Sequence, residues 1–288
     1  MSTLPLKIRS MNHSDIHGAM KLKNAEGWNQ TEKDWKIFIT NRTNINLVAE
    51  YKNRIIGTVT AANYADNVAW IGMMIINRKF RGRGISKLLL DTVIKKLEQN
   101  NCKSVKLDAT SAGLPVYKKL GFIAEYEIYR MTSDSIADFP LESSLSSTQM
   151  TEQTLQKIIR FDQMAFGVNR KILLESMAKN FPHKIWLKKT NDQVLGFALG
   201  RDGTRFHQVG PVSAETPDTA KALVQYALKS LVGQSVVVDI LADKPELYHW
   251  LTSVGFSGQR HFMRMYLKTN PFPGDTKKQF LICGPEFG

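Results

Sequence analysis

The sequence predicts an α/β protein made of two tandem copies of one module, each a mixed, mostly antiparallel sheet flanked by helices. Three observations lead there. Strand and helix signals alternate along the first half in an order that suits a partly antiparallel sheet with helices on both faces. Four features of the first half recur, in the same order, in the second. A length of 288 residues also favours two domains at about 100–200 residues each.

In the first half, Leu6–Arg9 reads as a strand and His13–Thr40 as one or two helices. NLVAEYKNRIIGTVTA reads as a hairpin over Asn46–Ala62, turning at Lys52-Asn53. A strand follows over Ala69–Ile76. A helix over Ile85–Gln99 carries apolar residues at Ile85, Leu88, Leu89, Val93, Ile94 and Leu97. Then come a strand (Ser104–Ala109), a short helix (Leu114–Leu120) and a last strand (Tyr126–Thr132).

The repeat shows in four places. KIWLKKTNDQVLGFALG has the form of the first hairpin, with Asn191-Asp192 at its turn. Asp108 stands nine positions before Tyr117, and Asp239 nine before Tyr248. Each copy then reaches Gly-Phe, at Gly121-Phe122 and Gly255-Phe256. Each ends in Arg-Met nine residues beyond that phenylalanine, at Arg130-Met131 and Arg264-Met265. Four matches in order point to duplicated modules, 1–134 and 151–288, joined by a serine-rich linker over 135–150. The turn-rich tail from Asn270 is expected to pack as an extension.

Composition narrows the function classes. Hydrophobic residues make up 43% and charged residues 23%, which excludes disordered and collagen-like chains. The longest apolar run, Ala69–Ile76, falls far short of a membrane span, and the opening MSTLPLKIRS lacks a secretion signal's apolar stretch. A cytoplasmic protein without membrane partners is expected. Cys102 and Cys283 are neither a disulfide framework nor a metal cluster. His13 and His17 lack the glutamate that HExxH requires, so no metal is expected; no GxSxG is present either. The net charge of +13 would attract an anion, whether nucleic acid or a phosphorylated cofactor, but equally serves solubility. No basic patch interleaved with aromatics accompanies it, so no nucleic-acid partner is expected.

The most informative stretch is WIGMMIINRKFRGRGISKLLLDTVIKKLEQN. Its Arg/Gly turn places free backbone N–H groups at a helix N-terminus, which suits a phosphate or pyrophosphate. Gly82 and Gly84 let the main chain approach the anion where a Cβ would intrude. The GKS or GKT of a nucleoside-triphosphate loop and the third glycine of a dinucleotide fingerprint are both missing.

RGRGIS resembles the pyrophosphate-binding motif of the GNAT superfamily of N-acetyltransferases, Arg/Gln-x-x-Gly-x-Gly/Ala, with Arg81, Gly84 and Ser86 at the named positions; Ser86 replaces the usual small apolar residue. A later segment, Ala109-Thr-Ser-Ala-Gly-Leu-Pro-Val-Tyr117-Lys-Lys-Leu-Gly-Phe122, resembles the family's alanine-rich turn and Tyr-x-x-Leu-Gly-Phe, and LKIRSMNHSDIHGAMKL its opening strand and helix. GPVSAETPDTAKAL, VVVDIL and the final GPEFG resemble the C-terminal domain of tandem GNAT proteins of the holothin-acetyltransferase type, and AEGWNQTEKDW fits that subfamily too.

The resemblance implies acetyl transfer from acetyl-CoA to a primary amine of a small molecule, by direct attack in a ternary complex. It assigns cofactor contacts to Met74, Ile75 and Ile76, whose backbone would face the developing oxyanion, to Arg81, Gly82, Arg83, Gly84, Ile85, Ser86 and Lys87, and to Thr110, where the family often has an asparagine. Tyr117 matches the acid that protonates the leaving thiolate. An ammonium with a pKa of about 10.4 must also lose a proton. Asp108 is the first candidate base, although its repetition at Asp239 equally suits a structural role common to both modules. Where some relatives carry a glutamate base, this chain has Val105. Trp28, Asn29, Gln30, Asp34 and Trp35 put two indoles and polar groups within eight positions, a seat for an organic cation or a set of core fillers. Competing readings are a non-catalytic acyl-CoA-responsive binding protein and a peptide or protein N-acetyltransferase. The second module, with Gly210-Pro-Val-Ser-Ala-Glu-Thr-Pro217 in place of the RGRG turn, is expected to bind no cofactor and to shape the acceptor pocket.

Overall fold

The computed structural model describes residues 5–65, 67–141 and 150–288; half of the expected linker, 142–149, lies outside the described residues. The first repeat runs β1 (Leu6–Ser10), α1 (Ile16–Ala25), α2 (Glu32–Thr40), β2 (Ile45–Tyr51), β3 (Arg54–Tyr64), β4 (Val68–Ile76), α3 (Ile85–Gln99), β5 (Ser104–Thr110), α4 (Leu114–Lys119) and β6 (Phe122–Ser133). The second runs α5 (Glu152–Phe166), α6 (Lys171–Asn180), β7 (Ile185–Thr190), β8 (Gln193–Arg201), β9 (His207–Ala214), α7 (Pro217–Lys229), β10 (Val236–Leu241), α8 (Pro245–Ser253), β11 (Ser257–Leu267) and the short β12 (Gln279–Leu281). Lys52 and Asn53 both adopt positive φ, the turn geometry expected at the tip of the β2–β3 hairpin.

All twelve strands join one sheet, in the order β1-β2-β3-β4-β5-β11-β6-β10-β12-β9-β8-β7. The two repeats therefore exchange their last strands. β11 pairs antiparallel with β5 of the first repeat, and β6 pairs antiparallel with β10 of the second. From α1 onward the element order of the first repeat recurs in the second, but the sheet of each is completed by the other.

The repeated Asp and Arg explain one another in this exchange. Asp108 lies directly opposite Arg264, and Asp239 directly opposite Arg130. Each pair is a bidentate ion pair, at 2.9 and 3.0 Å for Arg264–Asp108 and at 2.7 Å twice for Arg130–Asp239. Both carboxylates have side chains 0% exposed. Arg264 also lies over the Trp70 ring, 4.4 Å from its centroid.

Apolar stripes of α3 (Leu89, Leu90, Val93, Leu97) cover one face of the first sheet half, and α7 (Ala220, Leu223, Val224, Leu228) covers the matching part of the second. A third core joins the repeats. It packs Trp35 and Phe38 of α2 with Ile158 and Phe161 of α5, Leu174 and Met177 of α6, and Phe287 of the tail. Part of the expected linker belongs to the second repeat's packing, for Ile136 is buried and bridges to Val232.

The tail decides the difference between the two repeats. β4 and β5 are parallel neighbours only from Val68↔Ser104 to Ile71↔Leu107, after which they separate. β9 and β10 repeat this, pairing from His207↔Val236 to Val209↔Val238. In the second repeat β12 enters the gap and bonds to both sides. In the first the gap stays open.

Candidate active site

The gap between β4 and β5 begins at Gly72 and Asp108, where neither strand has the other as a partner. β4 is bulged there. Its register against β3 shifts between Thr58 and Thr60, Met73 takes a φ of 49°, and the Thr58 hydroxyl donates to the Met73 carbonyl at 2.7 Å. A bulge re-aims the side chains and backbone groups that follow it. A cavity of about 150 Å³ opens at this point, lined by Gly72, Met73 and Met74 of β4, by Asp108 and Thr110 of β5, and by Tyr117 of α4. Its walls also include Trp28, Asn29 and Gln30 from the α1–α2 loop, Arg205 and Phe206 from the β8–β9 loop, Arg260 and Phe262 of β11, and Glu286 of the tail. Both repeats thus enclose one cavity.

Beyond Ile76 the chain makes a short 3-10 turn over Arg78–Phe80 and reaches α3 through Arg81–Gly84. Gly82 and Gly84 hold φ of 74° and 75°, and a Cβ added to either would meet no atom within 4 Å. Gly84 is the left-handed N-cap of α3 and supplies no side-chain cap. The N–H groups of the first turn are left for an anion. Arg81 shapes this loop: Nε donates to the Ile76 carbonyl at 3.1 Å, and Nη2 meets Glu26 at 2.6 Å. Burial disfavours the Glu26 carboxylate, but Arg81 and Arg78 outweigh it and hold its pKa below the usual range. Arg83 lies over Phe80, Ser86 is half-buried, Lys87 pairs with Asp91 at 2.5 Å, and Ile85 is a core residue. Room for a phosphate, free N–H groups and a basic rim fit the pyrophosphate of acetyl-CoA.

Tyr117 lines the cavity, packs edge-on against Phe122, and has its pKa pushed up to about 12 by burial. The phenol is therefore protonated at neutral pH. Thr110 lines the cavity and its hydroxyl accepts from the Gly113 N–H at 3.3 Å. Asp108 lines it too, but both carboxylate oxygens hold Arg264. Desolvation pushes the Asp108 carboxyl up while Arg264 pulls against it. Val105 is a core residue.

Of the residues expected around the acceptor, Trp28 and Asn29 reach the cavity. Asn29 also stitches the two repeats together, accepting from the N–H groups of Arg205 at 3.1 Å and Phe206 at 2.9 Å and donating to the Phe206 carbonyl at 3.0 Å. Asp34 lies elsewhere: it is fully buried, closes the capping box with Thr31, and meets Arg201 at 2.8 Å. Ile75 and Ile76 lie beyond this cavity on the path to the loop. Sequence reasoning placed neither Arg205, Phe206 and Arg260 nor Glu286 here. Only the GPEFG ending gave any signal, because Arg260 arrives through strand exchange and Arg205 and Phe206 come from a distant loop of the second repeat.

Two family models match, the acetyltransferase (GNAT) family over residues 16–122 and the acetyltransferase (GNAT) domain over residues 158–281. The chain belongs to the GNAT superfamily of acetyltransferases. Among curated proteins it is 25% identical to the holothin acyltransferase of Pseudoalteromonas sp. (strain SANK 73390), over 81% of this chain and 78% of that one. It is 23% identical to the uncharacterized N-acetyltransferase YitH of Bacillus subtilis (strain 168) over 65% of each, so the match spans just under two thirds of that relative's length. Of solved structures, a Pyrococcus horikoshii protein assigned as an acetyltransferase shares the fold across 100% of this chain and 98% of its own, with a TM-score of 0.81 at 20% identity. A GCN5-related N-acetyltransferase from Sphaerobacter thermophilus aligns over 92% and 96%, with a TM-score of 0.66 at 14% identity. The tandem GNAT arrangement is thus shared along nearly the full chain. No helix among the described residues is long and apolar enough to cross a membrane.

Proposed function

We propose that this GNAT protein transfers the acetyl group of acetyl-CoA to a primary amine of a small molecule, by direct attack in a ternary complex at the β4–β5 gap. The observation that carries this reading is the continuity of one path: an open strand gap, a bulge at Met73, a cavity, and a glycine loop at a helix N-terminus. Acetyl-CoA, when bound, supplies the activated acetyl thioester.

Each residue has a part. The backbone of Gly82–Lys87 would hold the pyrophosphate at the positive end of α3. Backbone groups of β4 from Gly72 to Ile76, freed from β5, would position the acyl arm and offer an N–H to the thioester oxygen. Thr110 would contact the cofactor from β5. Tyr117, kept protonated by burial, would supply the proton that the leaving sulfur needs. Trp28 would give the acceptor an aromatic wall. Asp108 is better suited to locking β5 to β11 than to accepting a proton, since both its oxygens are engaged. A small acceptor is favoured over a long peptide because the cavity measures about 150 Å³ and the β8–β9 loop and the tail add to its lining. The named activity of the Pseudoalteromonas relative, a holothin acyltransferase, points the same way.

The test is thiol release from acetyl-CoA across amino acids, polyamines, aminoglycosides and peptides. Turnover with a small amine is expected. Acetyl-CoA binding without turnover on any member would instead favour a sensing role, and preference for long peptides would overturn the small-molecule reading.

A further inference from the structure

Glu286 is buried, at 2% exposure, yet it lines the reaction cavity. The tail brings it there. Gly72 accommodates it: a Cβ on that glycine would lie 2.8 Å from the Glu286 Cα and 3.1 Å from its Cβ. The tail is fixed on either side of it, with the Trp70 indole donating to the Pro285 carbonyl at 3.1 Å and the Tyr64 hydroxyl donating to the Phe287 carbonyl at 2.7 Å. Phe287 stacks on Phe38 with ring centroids 4.6 Å apart. One carboxylate oxygen, Oε1, holds Arg201, whose other arm holds Asp34. The second, Oε2, is buried and has no hydrogen-bond partner among the described residues. Gln30 Oε1, of another residue that lines the cavity, is likewise buried and unpartnered. Buried acceptors without donors are rare and costly. Both belong to residues that line the cavity beside the bulge, where a ligand that brings N–H groups would meet them; Arg201 Nε, on the guanidinium that Oε1 holds, is also unpartnered among the described residues. Between the two carboxylates that line the cavity, only Glu286 has a free oxygen, since Asp108 gives both of its own to Arg264.

We propose that Glu286 is the proton acceptor for the incoming amine, with Gln30 accepting a second N–H, so that the catalytic base comes from the C-terminal tail of the second repeat. This rests on the acetyltransfer reading above. The acceptor ammonium gives one proton to Oε2, and the freed electron pair forms the C–N bond at the thioester carbonyl carbon. The C–S bond breaks with its electron pair on sulfur, sulfur takes a proton from Tyr117, and the second proton of the nitrogen, passed through water, reprotonates Tyr117. Glu286 passes its proton to water, so each transfer from an ammonium releases one proton net. Arg201 of β8 keeps the carboxylate oriented. The other charged or titratable groups that interact with Glu286 are Arg130 of β6, Tyr64 of β3 and Cys283, with Asp34 of α2 sharing Arg201.

The experiment compares Glu286→Gln with the parent chain on two kinds of acceptor from the panel. One is an alkylamine, protonated at neutral pH; the other is an arylamine or hydrazide already neutral at the assay pH. The variant is expected to lose about 10²-fold in kcat/KM for the alkylamine and only a few-fold for the neutral amine. Its rate with the alkylamine should climb with pH as that ammonium titrates, and acetyl-CoA affinity by calorimetry should stay within two-fold. Equal losses on both acceptors, or unchanged turnover, would overturn the proposal and leave the acetyltransfer reading standing. Glu286→Asp, which keeps a charge for Arg201, covers the case in which the glutamine variant does not fold. The same unequal losses, smaller in size, are expected of it, and equal ones count against. A parent chain that releases no thiol with any amine would sink both readings together.

Discussion

Gly84 combines a left-handed backbone with open space in front of it, which makes it a sensitive probe of the anion site. Gly84→Asp would set a carboxylate where the pyrophosphate is proposed to lie and strain the N-cap. Calorimetry should show acetyl-CoA affinity falling by more than tenfold, with a much smaller relative loss in thermal stability; unchanged affinity in a folded variant would remove the loop from the cofactor site. Tyr117→Phe keeps the ring against Phe122 and removes the hydroxyl. A general-acid role predicts a kcat loss of about 10²-fold, with cofactor affinity within a few-fold. The parent phenol titrates near pH 12, so its acid function is present below that value and lost only as pH rises toward it. No alkaline loss attributable to this group is expected between pH 7 and 10, and a pH–rate profile would reveal one. Tyr117 and the RGRG glycines could be read from spacing as candidates because their motifs are local. Glu286 could not, since its role depends on what lies across Gly72.

Strand exchange gives the Asp–Arg pairs a function that spacing alone leaves open. Asp108→Asn would leave Arg264, with a side chain 2% exposed, facing a neutral partner in the middle of the β5–β11 ladder. Breaking a buried ion pair in this way costs about 3–5 kcal/mol. A drop of several degrees in melting temperature is expected, with turnover per folded molecule falling less than tenfold. Wild-type stability with turnover lost by 10²-fold or more would restore Asp108 as the base. The elements themselves were legible: the helix over Ile85–Gln99 matches α3, and the strand over Ala69–Ile76 matches β4 to within a residue. Periodicity and turn residues carry that information within a few neighbours. The pairing partner of a last strand does not lie in its own pattern, because β6 and β11 could each complete either copy.

Across the chain as a unit, one repeat is open and the other is filled. β12 occupies the β9–β10 gap, and a Cβ on Gly210 would collide with the Ile282 carbonyl, so no acyl arm could lie there. The start of α7 is closed as well. Thr216 caps the Thr219 N–H, and Pro217 has no donor to give. Titration is therefore expected to give one acetyl-CoA per chain; two equivalent sites would show that the tail leaves its gap. The sequence was enough to specify two copies of an α/β module, the family, the glycine turn before α3 and the proline-bearing turn before α7, since each is written in local spacing, glycine and proline positions and charge. Tertiary structure alone determined that the copies exchange strands, that β12 fills one gap, and that Glu286 reaches the other. Those outcomes depend on which distant segments bury the most surface and pair the most buried charge together. No window of the sequence contains both partners.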